Sequence, residues 1–330
     1  MARIVRFYEY GGPEVLRIEE APAQQPAKGE VRLRVQAIGL NRAESMFFHN
    51  QYLEQPKLPS RLGYEAAGVV EAVGPDVDEI WLGKQVATVP AFSMNIYGMV
   101  GEQAVAPVSA LGEYPAKFSP AEGAAIWMQF LTAYGALIEI GHVTKGDFIV
   151  ITAASSSVGI AAIEMAKAEG AISIATTRTS RKKKELYELG ADHVIACEEE
   201  DFLARVNEIT AGKGARVVFD PVAGPFVNTL AEATARHGII VEYGLLSGQA
   251  TPFPIVPAIA KGLTIRGYTL MEITTVHEKL ASAKKYVWDR LEDGRFRPKI
   301  AKTFPFAQTV EAYKYLESNV QVGKVVITVP

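Results

Sequence analysis

Residues 148–170, "FIVITAASSSVGIAAIEMAKAEG", constrain the fold more than any other stretch. A β-branched run, a turn of small residues and an apolar helical pattern follow one another there. Strand candidates at 148–153, 172–176, 193–196, 216–220 and 238–243 alternate with helix candidates near 157–169, 180–189, 199–211 and 224–236. Alternation of this kind predicts a parallel sheet wound with helices on both faces. "LTIRGYTL" at 263–270 offers one further strand.

The turn inside the opening stretch is where such a sheet binds a dinucleotide pyrophosphate. Laid on "AASSSVG", the three glycine positions of G-x-G-x-x-G fall on Ala154, Ser156 and Gly159. Gly159 keeps the position that lets helix and strand pack closely. Ser155, Ser156 and Ser157 offer hydroxyls, and the helix N-terminus around Val158 offers N–H groups, to phosphate oxygens. The alternative is a serine-capped turn with no ligand. A positive φ at Ser156 would add strain and weaken binding.

Nineteen residues beyond Gly159, where an NAD-type fold carries an acid, stands Arg178. No acid lies between Ala171 and Lys184, while Arg178, Arg181, Lys182, Lys183 and Lys184 do. Cations at a helix start oppose its dipole, so the cluster calls for an anion. A 2′-phosphate suits a guanidinium fork with an ammonium, here Arg178 with Lys182, and the cofactor expected is NADP(H).

The chain's 330 residues suffice for two domains. A net charge of −3 gives no argument for nucleic acid or an anionic membrane. No run is expected to reach the ~18–20 apolar residues of a spanning helix. The N-terminus reads as a strand rather than a signal peptide. Cys197 is the single cysteine, so no intrachain disulfide forms and a cytoplasmic setting fits. None of the five histidines lies within ligand spacing of another, which argues against a metal site.

Residues before about 125 are strand-rich. "EVRLRVQAIGLN" alternates Val31, Leu33 and Val35 with Arg32 and Arg34, and "AAGVVEAVG" and "GKQVATVP" are further β runs. They predict an antiparallel, barrel-like domain. "SPAEGAAIWMQFLTAYGALIEIG" opens a long helical stretch with Ser119 as cap and Pro120 at its first position. An amphipathic helix near 276–293 and the β ending "GKVVITVP" lie in the last sixty or so residues, which are expected to rejoin the first domain.

"YGGPEVLRIEE", "VRLRVQAIGLNRAESMFF", "LPSRLGYEAAGVVEAVG", "GAAIWMQFLTAYGAL", "ELGADHVI", "VVFDPVAG", "YGLLSG" and "GKVVI" occur in an order and over a length that resemble the medium-chain dehydrogenase/reductase superfamily, in its zinc-free quinone oxidoreductase branch. The resemblance implies a GroES-like β-barrel domain at 1–125 and 268–330 with a Rossmann domain at 126–267 inserted in it. It places the cofactor in the cleft between them and a homodimer partner along 263–270. At the three catalytic zinc-ligand positions stand Asn41, Tyr64 and Met128, and the four-cysteine structural lobe is missing. The implied reaction is zinc-independent hydride transfer from NADPH to a quinone or an α,β-unsaturated carbonyl, a small-molecule substrate. A catalytically weak NADPH-binding protein and an alcohol dehydrogenase-type reductase are the alternatives.

By the same resemblance Asn41, Tyr52 and Thr132 lie near nicotinamide ribose and substrate, Tyr52 orienting substrate or donating a proton. Each also has a structural reading: a strand end, a rim tyrosine, a helical back-bond. Tyr243 and Gly244 would run beside the nicotinamide, and Lys324 would stand near cofactor phosphate or ribose. Met46, Phe47, Phe48, Tyr64, Trp127 and Met128 would form an apolar pocket unless they are simply core. Asp220 is expected to fix a loop.

Overall fold

The alternation of Val31, Leu33 and Val35 builds the longest strand of the first half: their side chains are buried while Arg34 is exposed. A computed structural model of the chain describes residues 1–330 and divides them into two units, Met1–Met128 with Pro298–Pro330, and Gln129–Arg297. The first unit starts with strands β1 (Ala2–Arg6), β2 (Arg17–Ala21) and β3 (Glu30–Gly39), then helix α1 (Arg42–Phe48). Strands β4 (Glu65–Val73), β5 (Gln85–Thr88), β6 (Gln103–Pro107) and β7 (Leu111–Gly112) follow, then the short helix α2 (Pro120–Gly123).

Helix α3 (Trp127–Tyr134) leads into the second unit. There β8 (Phe148–Ile151), α4 (Ser157–Glu169), β9 (Ile172–Thr177), α5 (Lys183–Glu188), β10 (His193–Ala196), α6 (Phe202–Ile209), β11 (Ala215–Asp220), α7 (Val227–Ala233) and β12 (Thr234–Glu242) alternate. Helix α8 (Ile255–Lys261), strand β13 (Thr264–Gly267) and helices α9 (Met271–Thr274) and α10 (His277–Glu292) complete it. The chain then re-enters the first unit through β14 (Ile300–Pro305), α11 (Thr309–Glu317) and β15 (Lys324–Thr328).

The six strands β8–β13 are parallel and lie in the order β10-β9-β8-β11-β12-β13. Counted from β8 this is 3-2-1-4-5-6, the doubly wound order whose ligands sit at the carboxyl ends of the strands near the reversal. Val150, Ile174, Ile195, Val218 and Ile240 form one buried layer, covered by Phe202 and Val206 of α6 and Leu230 of α7. Burial of each such aliphatic side chain stabilises the sheet by about 1.5–3 kcal/mol.

In the first unit β3 pairs antiparallel with β4 and β6, and β15 pairs antiparallel with β3. This last pairing explains the predicted return of the chain end. The return occurs at 298, thirty residues after the expected 268. Leu280, Ala283, Val287 and Leu291 give α10 a buried stripe. Its Tyr286 hydroxyl donates to Glu169 Oε1 at 2.6 Å and its Arg290 Nη2 to the same oxygen at 2.8 Å, while Phe296 stacks on Phe130 at 4.7 Å. These contacts fix residues 268–297 to the second unit.

The stretch opened by Ser119 is not one regular helix. α2 ends at Gly123, α3 begins at Trp127, and residues 135–140 widen into a π-helical turn. At Gly135 a Cβ would lie 2.0 Å from the Tyr268 hydroxyl, so only glycine admits that close approach. The span Pro120–Ile140 is nonetheless apolar enough to cross a membrane by length and composition, contrary to the reading that no run is. With 78% of its window buried inside the protein, it serves as a core segment.

Candidate active site

Small residues let β8 turn into α4 at close quarters. Ala153 takes the left-handed conformation (φ 45°), and Ser156 stays extended at φ −70°, ψ 160°. The left-handed conformation therefore falls three residues before Ser156, on Ala153. Ser156 Oγ accepts the Gly159 N–H at 3.0 Å, which makes it the N-cap of α4. At Gly159 a Cβ would meet Ala154 Cα at 2.6 Å and Ala154 O at 2.7 Å. That approach leaves the N–H groups of Ser157 and Val158 at the start of α4, the arrangement that suits an anion, while Ser156 caps Gly159 N.

The basic cluster divides into two sets. Lys183 pairs with Glu200 at 2.8 Å and Lys184 lies 3.8 Å from Glu188, so these two meet protein carboxylates rather than an absent anion. Lys182 instead donates to Ser155 Oγ at 3.0 Å, within the phosphate turn. Its ammonium is held below the usual lysine range by burial and by the neighbouring Arg178 guanidinium. Arg178, exposed just past the end of β9, thus stands with Lys182 beside the turn. Two like charges held this close at a helix N-terminus suit a phosphate dianion.

At the ends of β11 and β12, Asp220 and Glu242 are register partners. Asp220 accepts from the Thr152 hydroxyl, from Val222 N at 3.0 Å and from Ala223 N at 2.8 Å, so it fixes the loop after β11 as expected. Neither buried carboxylate oxygen of Glu242 has a hydrogen-bond partner, and burial together with Asp220 pushes its pKa up to about 8. Tyr243 stacks on Phe219 at 4.0 Å, with its buried hydroxyl beside Ser156 but in no hydrogen bond. Gly244 passes so close to Pro221 that a Cβ would meet Pro221 O at 2.7 Å. An orphaned hydroxyl next to the turn, the glycine-tight loop and the cation pair together fit a dinucleotide phosphate.

The first unit holds a buried polar centre. Asn41 caps α1, and its backbone N–H donates to Glu44 Oε2 at 2.9 Å, the reach-back half of a capping box. Its Nδ2 donates to Gly39 O, Glu44 Oε1 and Glu65 Oε2, each at 3.2 Å, and its Oδ1 accepts from Lys324 Nζ at 2.6 Å. Lys324 also donates to Glu65, whose other oxygen accepts Met128 N at 2.8 Å. Glu44 further accepts Tyr64 N and the Tyr313 hydroxyl, both at 3.0 Å. Burial raises the Glu44 carboxyl, opposed by its hydrogen bonds to Asn41 and Tyr64 and by Lys324.

Lys324 is 1% exposed, with its ammonium engaged by Asn41 and Glu65. The Asn41 carboxamide likewise has its donors and its oxygen engaged, and it ends strand β3 at the start of α1. Sequence reading missed Glu44, Glu65 and Tyr313. The N-x-x-E spacing of Asn41 and Glu44 is a capping-box signal that could have found the first; the others meet Asn41 only through the fold.

Tyr52 is half-buried, its ring 6.3 Å from that of Tyr64, and burial raises its phenol above the ordinary range. Thr132 lies in α3, 6% exposed. Phe47, Phe48 and Trp127 are fully packed core side chains, Phe47 against Phe7 and Phe48 against Tyr313, rather than an open apolar lining. At the three positions a zinc member would use, an engaged carboxamide, a buried phenol and a thioether offer no thiolate or imidazole, and zinc does not fit this donor set.

Residues 27–123 match the family described as alcohol dehydrogenase GroES-like domain, and residues 157–285 that described as zinc-binding dehydrogenase. Quinone oxidoreductase 1 of Escherichia coli (strain K12) is 32% identical over 98% of both chains. A 2-haloacrylate reductase of Burkholderia is 29% identical over 99% of this chain and 98% of its own. The crystal structure of Escherichia coli quinone oxidoreductase complexed with NADPH aligns at TM-score 0.90 and 30% identity, covering 99% of this chain and all of that one.

Proposed function

The chain belongs to the medium-chain dehydrogenase/reductase family, on its quinone oxidoreductase-like branch, and we propose that it reduces a quinone or an α,β-unsaturated carbonyl compound with NADPH and without zinc. It is an NADPH-dependent oxidoreductase. The observation that carries this reading is the Lys182–Ser155 contact beside Arg178, which puts two cations where an NAD-type fold needs a carboxylate.

Bound NADPH supplies the hydride. The turn from Ala154 to Gly159 holds the pyrophosphate on N–H groups and serine hydroxyls, while Arg178 and Lys182 take the 2′-phosphate. Tyr243 and Gly244 line the nicotinamide side. Thr132 hydrogen-bonds there, and Tyr52, kept protonated by burial, orients the substrate oxygen or gives it a proton. Lys324 and Asn41 hold the start of α1 in place. With no Lewis acid to polarise an alcohol, reduction of a conjugated acceptor suits this site better than reversible alcohol oxidation.

Strand β13 leaves one sheet edge unpaired, flanked by exposed Phe253, Ile255, Val256 and Ile259. A second copy pairing there makes the protein a homodimer and covers that edge. The lone, half-buried Cys197, its thiol pushed up to about 11 by burial, fits a cytoplasmic protein.

Stoichiometric NADPH oxidation with 1,2-naphthoquinone or with an enone panel tests the reading. Thermal stabilisation by NADPH with no turnover on any acceptor would favour the weak-enzyme alternative. Bound zinc by elemental analysis, together with NADP-dependent alcohol oxidation, would favour the alcohol dehydrogenase type.

A further inference from the structure

The first unit contains a half-buried cation, Arg61, with no carboxylate partner. Arg61 Nη1 donates to Gln24 Oε1 at 2.9 Å and Nη2 to the backbone oxygen of Gln103 at 3.3 Å, while its buried Nε has no partner. Both partners are neutral. Burial and then the like charge of Arg6 bring the Arg61 pKa down to about 10. A guanidinium partly withdrawn from water without a counter-charge carries a cost, and a like neighbour adds to it.

The two arginines, with Arg32 and the side of Gln103, line a cavity of about 310 Å3. Arg6 and Arg32 each have a carboxylate of their own, Glu19 and Glu71, so both are neutralised without Arg61. A smaller cavity of about 130 Å3 shares Arg61 and is lined by Glu30. That carboxylate accepts from the Tyr97 hydroxyl at 2.7 Å and from Ala27 N at 2.9 Å and forms no ion pair with Arg61. The local excess of one positive charge is thus confined to Arg61, at the wall of a space large enough for about ten water-sized groups. Ile4 and Val105 make part of that wall apolar.

We propose that this cavity is a binding site for a small organic oxyanion, a carboxylate or phosphate ester, whose charge is taken by Arg61 and whose carbon skeleton lies on Ile4 and Val105. Guanidinium geometry matches either group through paired N–H bonds. The site is built wholly from the first unit and shares no residue with the phosphate turn, so it would act as an effector site rather than as part of the cofactor site.

The test measures saturable thermal stabilisation at constant ionic strength by citrate, malonate, inorganic phosphate and glycerol 3-phosphate, with chloride as control. Saturating NADPH is present throughout, so that the phosphate turn is filled. We expect at least one oxyanion to bind with millimolar or better affinity and Arg61→Gln to weaken it tenfold or more, with NADPH oxidation unchanged. Arg178→Ala should leave the oxyanion response intact. Carboxylate and phosphate arms tell the two ligand types apart. No saturable response to any oxyanion, or one undiminished in Arg61→Gln, overturns the proposal. If Arg61→Gln does not fold, anomalous diffraction from the wild-type protein with selenate decides: a peak within reach of Arg61 supports the site, and its absence there refutes it.

Discussion

Lys324 Nζ donates to Asn41 Oδ1 at 2.6 Å, joining residues 283 apart in the chain at the centre of the first unit. The same ammonium is the only cation facing two buried carboxylates, Glu65 and Glu44. Lys324→Met should therefore leave uncompensated negative charge and cost about 3–5 kcal/mol of stability. Adding Glu65→Gln removes one of those charges yet keeps an oxygen for the Met128 N–H. The double variant should be more stable than Lys324→Met alone, by at least about 1 kcal/mol, in urea unfolding. Additive losses would mean that the pair is not coupled.

Gly159→Ala tests the phosphate turn at its tightest point. The new Cβ would press on Ala154 backbone atoms at 2.6–2.8 Å, which no rotamer can relieve. Displacement of the first turn of α4 should cost about 1–3 kcal/mol and weaken NADPH at least tenfold by fluorescence titration. Ser156→Ala removes the cap, a stability loss of about 1 kcal/mol, without the backbone clash. Unchanged NADPH affinity in Gly159→Ala would show that the turn does not hold the cofactor.

These sites differ in how far the chain's own pattern reveals them. The alternation from 148 onward predicts the doubly wound sheet because each strand–helix step repeats one local hydrophobic rhythm. Ser156, Gly159 and Arg178 are legible because the turn and its companion lie on consecutive strands. Glu65, Lys324 and Tyr313 belong to β4, β15 and α11, and no spacing links them. The second crossing between the units is poorly legible for a similar reason. α10 looks like any amphipathic helix, and only Glu169, over a hundred residues earlier, fixes Tyr286 and Arg290 to the second unit. Polar networks of this kind come from tertiary contact, and periodicity carries no trace of them.

Arg178→Ala and Lys182→Ala should discriminate between cofactors. A charge-assisted contact to a phosphate contributes about 1.5–3 kcal/mol, so each variant should bind NADPH roughly ten- to a hundredfold more weakly. NADH, which lacks the 2′-phosphate, should bind nearly as before. Equal losses for both cofactors by calorimetry would remove these residues from the 2′-phosphate site.

Glu242 makes stability depend on pH in a direction that can be stated in advance. Its side-chain oxygens lack donors while Asp220 beside it accepts from three, so of the two carboxyls Glu242 carries a proton. Its pKa of about 8 in the folded protein lies above the ordinary 4.5, chiefly through burial and then through Asp220. Between those values the folded state holds a proton that the unfolded chain has released, so stability falls as pH rises from 4.5 to 8. Above pH 8 the folded protein must carry both charges. Glu242→Gln keeps the shape of the protonated form and cannot ionise. The variant should match the wild type near pH 4 and exceed it by roughly 2–4 °C in Tm at pH 9. A constant difference across that range, or a variant less stable at high pH, would show that Glu242 is not protonated in the folded protein.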